Sequence, residues 1–308
     1  MMRLRLKGDY IPEFLELVLR HSSVRRRITA IAQGTSESMV KISGLALGSL
    51  LIPQIPLTLQ RRIMAFLDNV SEMERAIDAS IQKLRAVRLG VQLSLLSATD
   101  ARRAPAVSWS RALLRDVVPP VEYGISEALV NDPAGVPVLR MNNLQDGRPD
   151  VTELRYCPVS IPQGLYLKRG DVLFNRTNSI DHVGKAAIWR EELPVASFAS
   201  YLVRLNPDRR KLLPDYLVEW LQHPVTRQRV RAIATVAVQQ VNVNPTRLRE
   251  LEIDFPDDLT EQRRIVSTLA SFDDRIAREM EEMAKLRRLK RGLTDDLLSG
   301  KVHVPDAA

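Results

Sequence analysis

The chain is expected to be α+β, with mixed modules joined by two long helices, and three observations predict this. A long segment occurs twice. Residues 57–98 run from Leu57-Thr58-Leu59-Gln60-Arg61-Arg62-Ile63 to Leu95-Leu96-Ser97, and residues 259–300 from Leu259-Thr260-Glu261-Gln262-Arg263-Arg264-Ile265 to Leu297-Leu298-Ser299. The offset is 202 residues without a gap, so Lys83-Leu84-Arg85 falls on Lys285-Leu286-Arg287. A repeat of this period marks one structural unit used twice. Both copies carry a helical apolar stripe, whereas residues 104–256 carry short apolar runs broken by turn residues.

In the first copy the stripe is Ile63, Leu67, Val70, Ile77, Ile81, Leu84, Val91 and Leu95, interrupted at Glu74 and Arg88. In the second it is Ile265, Leu269, Phe272, Ile276, Met283, Leu286, Leu293 and Leu297, interrupted at Glu279 and Lys290. Alternating four-three spacing averages 3.5 residues, the coiled-coil period. Each proline-free helix is expected to span about 33 residues, roughly 50 Å at 1.5 Å per residue. Two separate amphipathic helices on separate cores are the alternative, but the matched lengths favour mutual pairing. If the pair is antiparallel, Glu74 lies near Lys290 and Arg88 near Glu279, as polar layers that set register at some cost in stability.

Within 104–256, Val136-Pro137-Val138-Leu139-Arg140, Gly170–Phe174, Ala186–Trp189 and Ser200–Leu205 read as strands between turns. Pro214-Asp215-Tyr216-Leu217-Val218-Glu219-Trp220-Leu221 opens a helix, with Pro214 or Asp215 in its cap region. A second helix is expected over Val225–Ile233, then a Gln- and Asn-rich loop, a short helical turn and a strand, Leu251–Phe255. The first 56 residues repeat only the end of this module. Asp9-Tyr10-Ile11-Pro12-Glu13-Phe14-Leu15-Glu16 parallels Asp215–Gln222, and Ile42–Ile52 parallels Val243–Ile253. The expected divisions are therefore 1–56, a module remnant; 57–103, the first helix; 104–256, a whole module; and 257–308, the second helix.

At 308 residues, with 45% hydrophobic and 27% charged, the chain reads as soluble, folded and large enough for about two cores. The single cysteine, Cys157, rules out an intramolecular disulfide and fits a reducing compartment. No apolar run reaches the roughly 18 residues of a membrane span, and Met1-Met2-Arg3-Leu4-Arg5 lacks a signal-peptide core. A cytoplasmic protein with no membrane partner is expected. The net charge of +8 hints at a polyanionic partner, yet it is spread without a basic block or tail.

Enzyme signatures are missing. There is no Gly-rich phosphate loop. Asn206-Pro207 and Asn244-Pro245 are not followed by the Pro-aromatic of an amino-methyltransferase. Pro149-Asp150 with Glu153 lacks the lysine and spacing of a nuclease, and His21, His182, His223 and His303 lack metal-ligand spacing. No cofactor and no metal are expected.

Gly170-Asp171-Val172-Leu173-Phe174-Asn175-Arg176-Thr177-Asn178-Ser179, followed by Val183-Gly184-Lys185-Ala186-Ala187-Ile188, resembles the centre of a target-recognition domain. The family is the specificity subunit of type I restriction–modification enzymes. Phe198–Arg204, the Tyr216-Leu217 helix, Gln239-Gln240-Val241-Asn242-Val243 and Glu261-Gln262-Arg263-Arg264-Ile265 are similar to its other segments, in order, across residues 9–300. The resemblance implies mixed α/β recognition domains joined by two long antiparallel coiled-coil helices. It implies that each domain reads half of a bipartite site in double-stranded DNA. It also implies that the helices dock methyltransferase (modification) subunits, that restriction (motor-nuclease) subunits join later, and that this subunit is itself non-catalytic.

Base readout needs side chains that offer paired hydrogen bonds to a base edge, while phosphate contacts only position the module. The loop from Asn175 to Lys185 offers both kinds, and Asn175, Arg176, Thr177, Asn178, Ser179 and Lys185 lead the candidates. Arg140, Asn142 and Asn143 precede a turn at Asp146-Gly147; contact and turn structure remain equal readings there. Gln239, Gln240, Asn242 and Asn244 either reach bases or cap the next helical turn. Gln33, Thr35, Ser36, Ser38 and Lys41 occupy the equivalent stretch of the remnant. Trp109, Trp189 and Trp220 are expected in the core.

Two departures from the family qualify the reading. No strands precede the remnant, which leaves a misplaced start codon or truncated gene, a split gene with its missing part encoded upstream, or a half-subunit pairing with a second copy. The first repeat has Leu59-Gln60 where the family favours Glu-Gln. Full bipartite recognition is expected to be impaired in this chain alone. A truncated or degenerate coiled-coil adaptor that docks methyltransferase subunits is the alternative function.

Overall fold

The computed structural model describes residues 4, 6, 10–32, 41–97, 107–236 and 240–299. The chain divides into two compact units, residues 1–84 with 275–308 and residues 85–274. Each takes part of both long helices, Leu57–Leu95 and Leu259–Ser299, which are longer than the apolar stripes alone predict. The second gains its first turn from Asp258, whose carboxylate accepts the Thr260 N–H at 2.7 Å.

In the first unit, helix Pro12–Arg20 starts on proline, where the missing N–H costs nothing. It buries Phe14 and Val18, and the next helix, Ser22–Ile31, buries Val24. These side chains pack with Ile63 and Leu67 of the first long helix and Leu297 and Leu298 of the second. The side chain of Gln60 is completely buried among them. Its Oε1 accepts the Ile11 N–H at 2.9 Å, and its Nε2 donates to the Ile55 carbonyl at 2.6 Å. The long helices run antiparallel here, because Ile63 and Leu67 meet Leu297 and Leu298 while Glu74, further on, meets Lys290 further back. The Lys290 ammonium lies 2.9 Å from Glu74 and 2.8 Å from the Ser71 hydroxyl, the polar layer that antiparallel register predicts.

The second unit is a mixed module closed by its own ends, since strand Trp109–Leu113 pairs antiparallel with Glu252–Pro256. Its centre is an antiparallel sheet in the order Glu122–Tyr123, Leu202–Arg204, Val172–Asn175, Ala186–Ile188. Alternate residues of these strands enter two different cores. Val172, Phe174, Ile188 and Val203 face helix Pro214–Gln222. Leu173, Ala187 and Leu202 face Leu139, Leu144, Trp189 and Phe198. A sheet covered on both faces needs continuous apolar runs, which is why these strands lack polar alternation. Strand Val136–Leu139 joins a second sheet, parallel to Ser197–Phe198 and antiparallel to Arg155–Cys157. Trp189 and Trp220 are buried, as expected.

Helices Pro214–Gln222 and Pro224–Ala232 stand at the predicted places, and Pro245–Arg249 supplies the short helical turn. Their starts correct the pairing of the first 56 residues with this module. Pro214 and Pro224 begin helices 202 residues after Pro12 and Ser22, so Phe14 corresponds to Tyr216 and the Asp9–Asp215 alignment is one helical turn out of step. The reason is a buried amide. Gln262 Oε1 accepts the Leu213 N–H at 2.9 Å, as Gln60 does for Ile11, while its Nε2 donates to Lys211 and Pro256 carbonyls, both at 2.8 Å. The tyrosines that misled the alignment do similar work from different positions, Tyr10 bonding the Pro53 carbonyl and Tyr216 that of Asp254.

The other predicted polar layer is also corrected. Arg88 does not pair with Glu279, whose salt bridge is to Arg275. Arg88 forms a two-pronged bond with Asp273, at 2.6 and 2.9 Å, and a 2.8 Å bond with Glu219. Gln92 adds a 3.0 Å bond to the same glutamate. Burial raises the Glu219 pKa and Arg88 opposes that rise, while Asp273 reinforces it.

Two predictions follow from these buried contacts. Gln262→Met leaves one N–H and two carbonyls without their partner, and should lower unfolding free energy by about 3 kcal/mol, measured by urea denaturation. Arg88→Met strands two carboxylates and should cost about 3–5 kcal/mol near neutral pH. Because the folded Glu219 pKa lies above its unfolded value, the folded state binds more protons, so stability falls as pH rises from the ordinary carboxylate range upward. Removing Arg88 raises that folded pKa further. The deficit of Arg88→Met should therefore shrink on acidification in urea titrations at stepped pH.

Candidate nucleic-acid interface

The loop from Asn175 to Lys185 leaves the central sheet and returns to it, held at its neck by Asn175 N–H to the Lys185 carbonyl at 2.8 Å. Between these points Thr177–Asn178 forms a strand against Val241–Asn242, which pairs in turn with Thr235–Val236. Part of the predicted Gln- and Asn-rich loop is thus sheet. Beyond it, Ser179, Ile180, Asp181 and His182 form an exposed turn. The return passes through Gly184, at φ 78°, where a Cβ would sit 2.8 Å from Val230. Only glycine suits that backbone and that space.

The candidate residues separate into support and surface. Asn175 is fully buried, and its amide points at the Met141 and His182 carbonyls at 3.4 and 3.5 Å. Asn143 is buried too. Its oxygen accepts the Arg140 N–H at 2.8 Å, and its amide donates to Asp150 and Glu153 carbonyls at 2.8 and 3.0 Å. Burial corrects both to scaffold residues: Asn143 is bonded to three backbone groups, and Asn175 lies beneath the loop. Asn244 caps helix Pro245–Arg249 by accepting the Thr246 N–H at 2.8 Å. Asp146-Gly147 forms the expected turn, with φ of 43° and 82°, the left-handed pair a tight hairpin requires.

On the surface, Ser179, Asn142 and Gln240 are exposed, and Asn178, Arg140 and Arg176 are half-buried. The Asn178 oxygen accepts the Ser179 N–H at 2.8 Å. Arg176 lies over the Tyr123 ring, 5.3 Å from its centroid, with Nη1 3.4 Å from the Ser200 carbonyl. The Lys185 ammonium bonds Gln145 at 2.9 Å. Thr177 and Asn242 face each other across the sheet, and the Thr177 hydroxyl and the Asn242 side-chain Oδ1 have no hydrogen-bond partner among the described residues. Gln239, Gln33, Thr35, Ser36 and Ser38 lie outside the described residues, and Lys41 is exposed.

Sequence reasoning passed over the aromatics beside Arg176. Tyr123 and Tyr201 are about half exposed, and the Tyr201 carbonyl accepts the Arg176 N–H at 3.0 Å. It also treated Gly170-Asp171 and Arg204 only as motif. Buried Asp171 accepts from Arg204 at 2.8 Å and from Asn206 at 2.7 Å, and Arg204 reaches Glu122 and the Gly164 carbonyl as well. Burial works against the Arg204 charge, but the paired carboxylates outweigh it and raise its pKa. These residues clamp the end of strand Val172–Asn175 opposite the loop. No cluster of His, Cys, Asp or Glu that could hold a metal occurs among the described residues, and no described helix is long and apolar enough to cross a membrane.

The family model described as the type I restriction modification DNA specificity domain matches residues 125–288, more than half of the chain. The protein belongs to that family. It is 29% identical over 194 residues to a candidate type I restriction enzyme MjaX specificity subunit of Methanocaldococcus jannaschii, covering 62% of this chain and 45% of that one. It is 22% identical over 303 residues to the type I restriction enzyme EcoBI specificity subunit of Escherichia coli, covering 89% and 63%. The chain therefore spans less than two thirds of the length of either relative. Among solved structures, a chain from work on complex assembly and conformational transition of the type I R-M system has the same fold, with TM-score 0.63 at 22% identity, covering 93% of this chain and 70% of that one. The HsdS subunit from Thermoanaerobacter tengcongensis aligns with TM-score 0.52 at 22% identity, covering 94% and 70%.

The division into support and surface can be checked by thermal unfolding. Asn143→Ala should destabilise the protein by about 2 kcal/mol, since buried backbone groups lose their partner. Asn142→Ala, one residue earlier and exposed, should stay within about 0.5 kcal/mol of the parent.

Proposed function

We propose that this chain is a sequence-specific DNA-binding specificity subunit of a type I restriction–modification complex. In this reading it acts in the cytoplasm, without catalytic residues of its own, and directs methyltransferase and restriction subunits to a bipartite site in double-stranded DNA. The observation that carries the proposal is the family match over residues 125–288, which takes in the whole loop from Asn175 to Lys185 and its supporting sheet. Exposed and half-buried amides and a guanidinium on a rigid sheet are the chemistry of base-edge readout. Arg140, Asn142, Arg176, Asn178, Ser179, Lys185, Gln240 and Asn242 are the proposed contacts, with Thr177 supplying an unsatisfied hydroxyl beneath them. The long helices are the proposed docking elements for methyltransferase subunits.

The test is a gel-shift with the chain reconstituted with a modification subunit, followed by sequencing of methylated sites. Sequence-dependent retardation is expected, and replacing residues 104–256 by another recognition module should change the methylated sequence. Asn178→Ala should relax discrimination at one position by about 1–3 kcal/mol. Complex formation without any sequence-dependent retardation would replace this reading with that of a docking adaptor.

A further inference from the structure

Helix Pro224–Ala232 carries Arg227, Arg229 and Arg231 and no acidic residue. Arg227 and Arg231 are one helical turn apart and so share a face. Arg227 is half-buried against the candidate loop: its Nη2 donates to the Asp181 carbonyl at 3.0 Å, and its Nη1 would lie 3.4 Å from a Cβ on Gly184. Burial and the neighbouring Arg231 both push its pKa down. No salt bridge to Arg227, Arg229 or Arg231 occurs among the described residues. Arg88 and Arg204, by contrast, are each opposed by two carboxylates. Here two like charges are held together without one, an arrangement that costs stability unless an anion completes it.

Arg229 differs. Its Nη1 points at the Glu252 carbonyl, 3.5 Å away. On the loop itself, Lys185 is hydrogen-bonded to Gln145 and Arg176 lies on Tyr123, so neutral partners hold both cations in place. Arg227 and Arg231 add further positive charge immediately beside the loop.

We infer that Arg227 and Arg231 form a phosphate clamp that grips the DNA backbone beside the loop from Asn175 to Lys185, positioning the module without reading sequence. This rests on the proposed DNA-binding function. Guanidiniums match phosphate oxygens in geometry and charge, and phosphate contacts set register while carrying no base information.

The experiment measures fluorescence anisotropy of the full chain on a random-sequence DNA duplex across a series of KCl concentrations. Each phosphate contact contributes roughly one unit to the slope of log K against log salt. The double variant Arg227→Gln, Arg231→Gln should lose about two units of slope, and exposed Arg231→Gln, which leaves the Asp181 contact intact, about one. Arg229→Gln should leave the slope unchanged. Binding with the parental slope in both the double variant and Arg231→Gln would overturn the clamp and leave the DNA-binding proposal standing. If the parent binds no duplex at the lowest salt, either alone or reconstituted with a modification subunit, both fall together.

Discussion

A buried glutamine amide at the first turn of each long helix is the contact on which both units are built. A primary amide presents an acceptor and two donors on one rigid plane, so it can bridge backbone groups that have no partner of their own. The N–H of Leu213 is such a group, as is that of Ile11, because each lies just before a helix and outside its ladder. Gln262 and Gln60 satisfy them and simultaneously hold the carbonyls of the segment leading into the long helix. One side chain thereby ties three chain segments together in the apolar interior, where an unmade hydrogen bond is most costly. The apolar packing of Phe14 or Tyr216 then fills space whose geometry the amide has set.

The same economy governs the pairing of the long helices. Apolar stripes supply most of the attraction but distinguish poorly between registers one heptad apart. Lys290 with Glu74 in one unit and Arg88 with Asp273 in the other supply the distinction, since a slipped register would bury a charge without its partner. Ser71 and Asp273, like Arg88 and Lys290, are 202 residues apart, so the same two repeat positions meet in both units. The chemistry at those positions has diverged: a lysine uses serine and glutamate where an arginine uses two carboxylates. The arginine's second carboxylate, Glu219, comes from the recognition module, which locks that module to its helices.

These contacts also explain which features could be read in advance. The long helices were legible because their stripe recurs through many turns, and the central strands because both faces of their sheet are buried. Strands of two residues, such as Glu122–Tyr123 or Thr235–Val236, leave no periodic trace. The Arg88–Glu279 pairing failed because heptad arithmetic takes account only of the two helices, whereas Glu219 arrives from elsewhere in the chain. Gln60 and Gln262 stood in the repeated motif from the start, but an amide next to a helix start reads equally well as surface. The site divided along the same line. Asn143 and Asn178 are the same residue type, and only burial and backbone geometry assign one to support and the other to surface. For Arg227 a signal did exist, three arginines in nine helical residues without an acid.

Support and surface are physically linked in this module. A side chain that reads a base must be placed to within a fraction of an ångström, which requires that the backbone beneath it cannot relax. Asn143 fixes the turn that carries Asn142, Asp171 and Arg204 fix the far end of the strand that leads into the loop, and Gly184 lets the returning chain press against Val230. Most polar side chains near the loop are consequently spent on holding it, and only a few remain at the surface. A phosphate contact positions a module without carrying base information, whereas a base edge is read by paired hydrogen bonds from amides or guanidiniums. In the proposed reading, Arg227 and Arg231 on the adjoining helix take the first task and the side chains of the loop the second, so that substitution can alter one without the other.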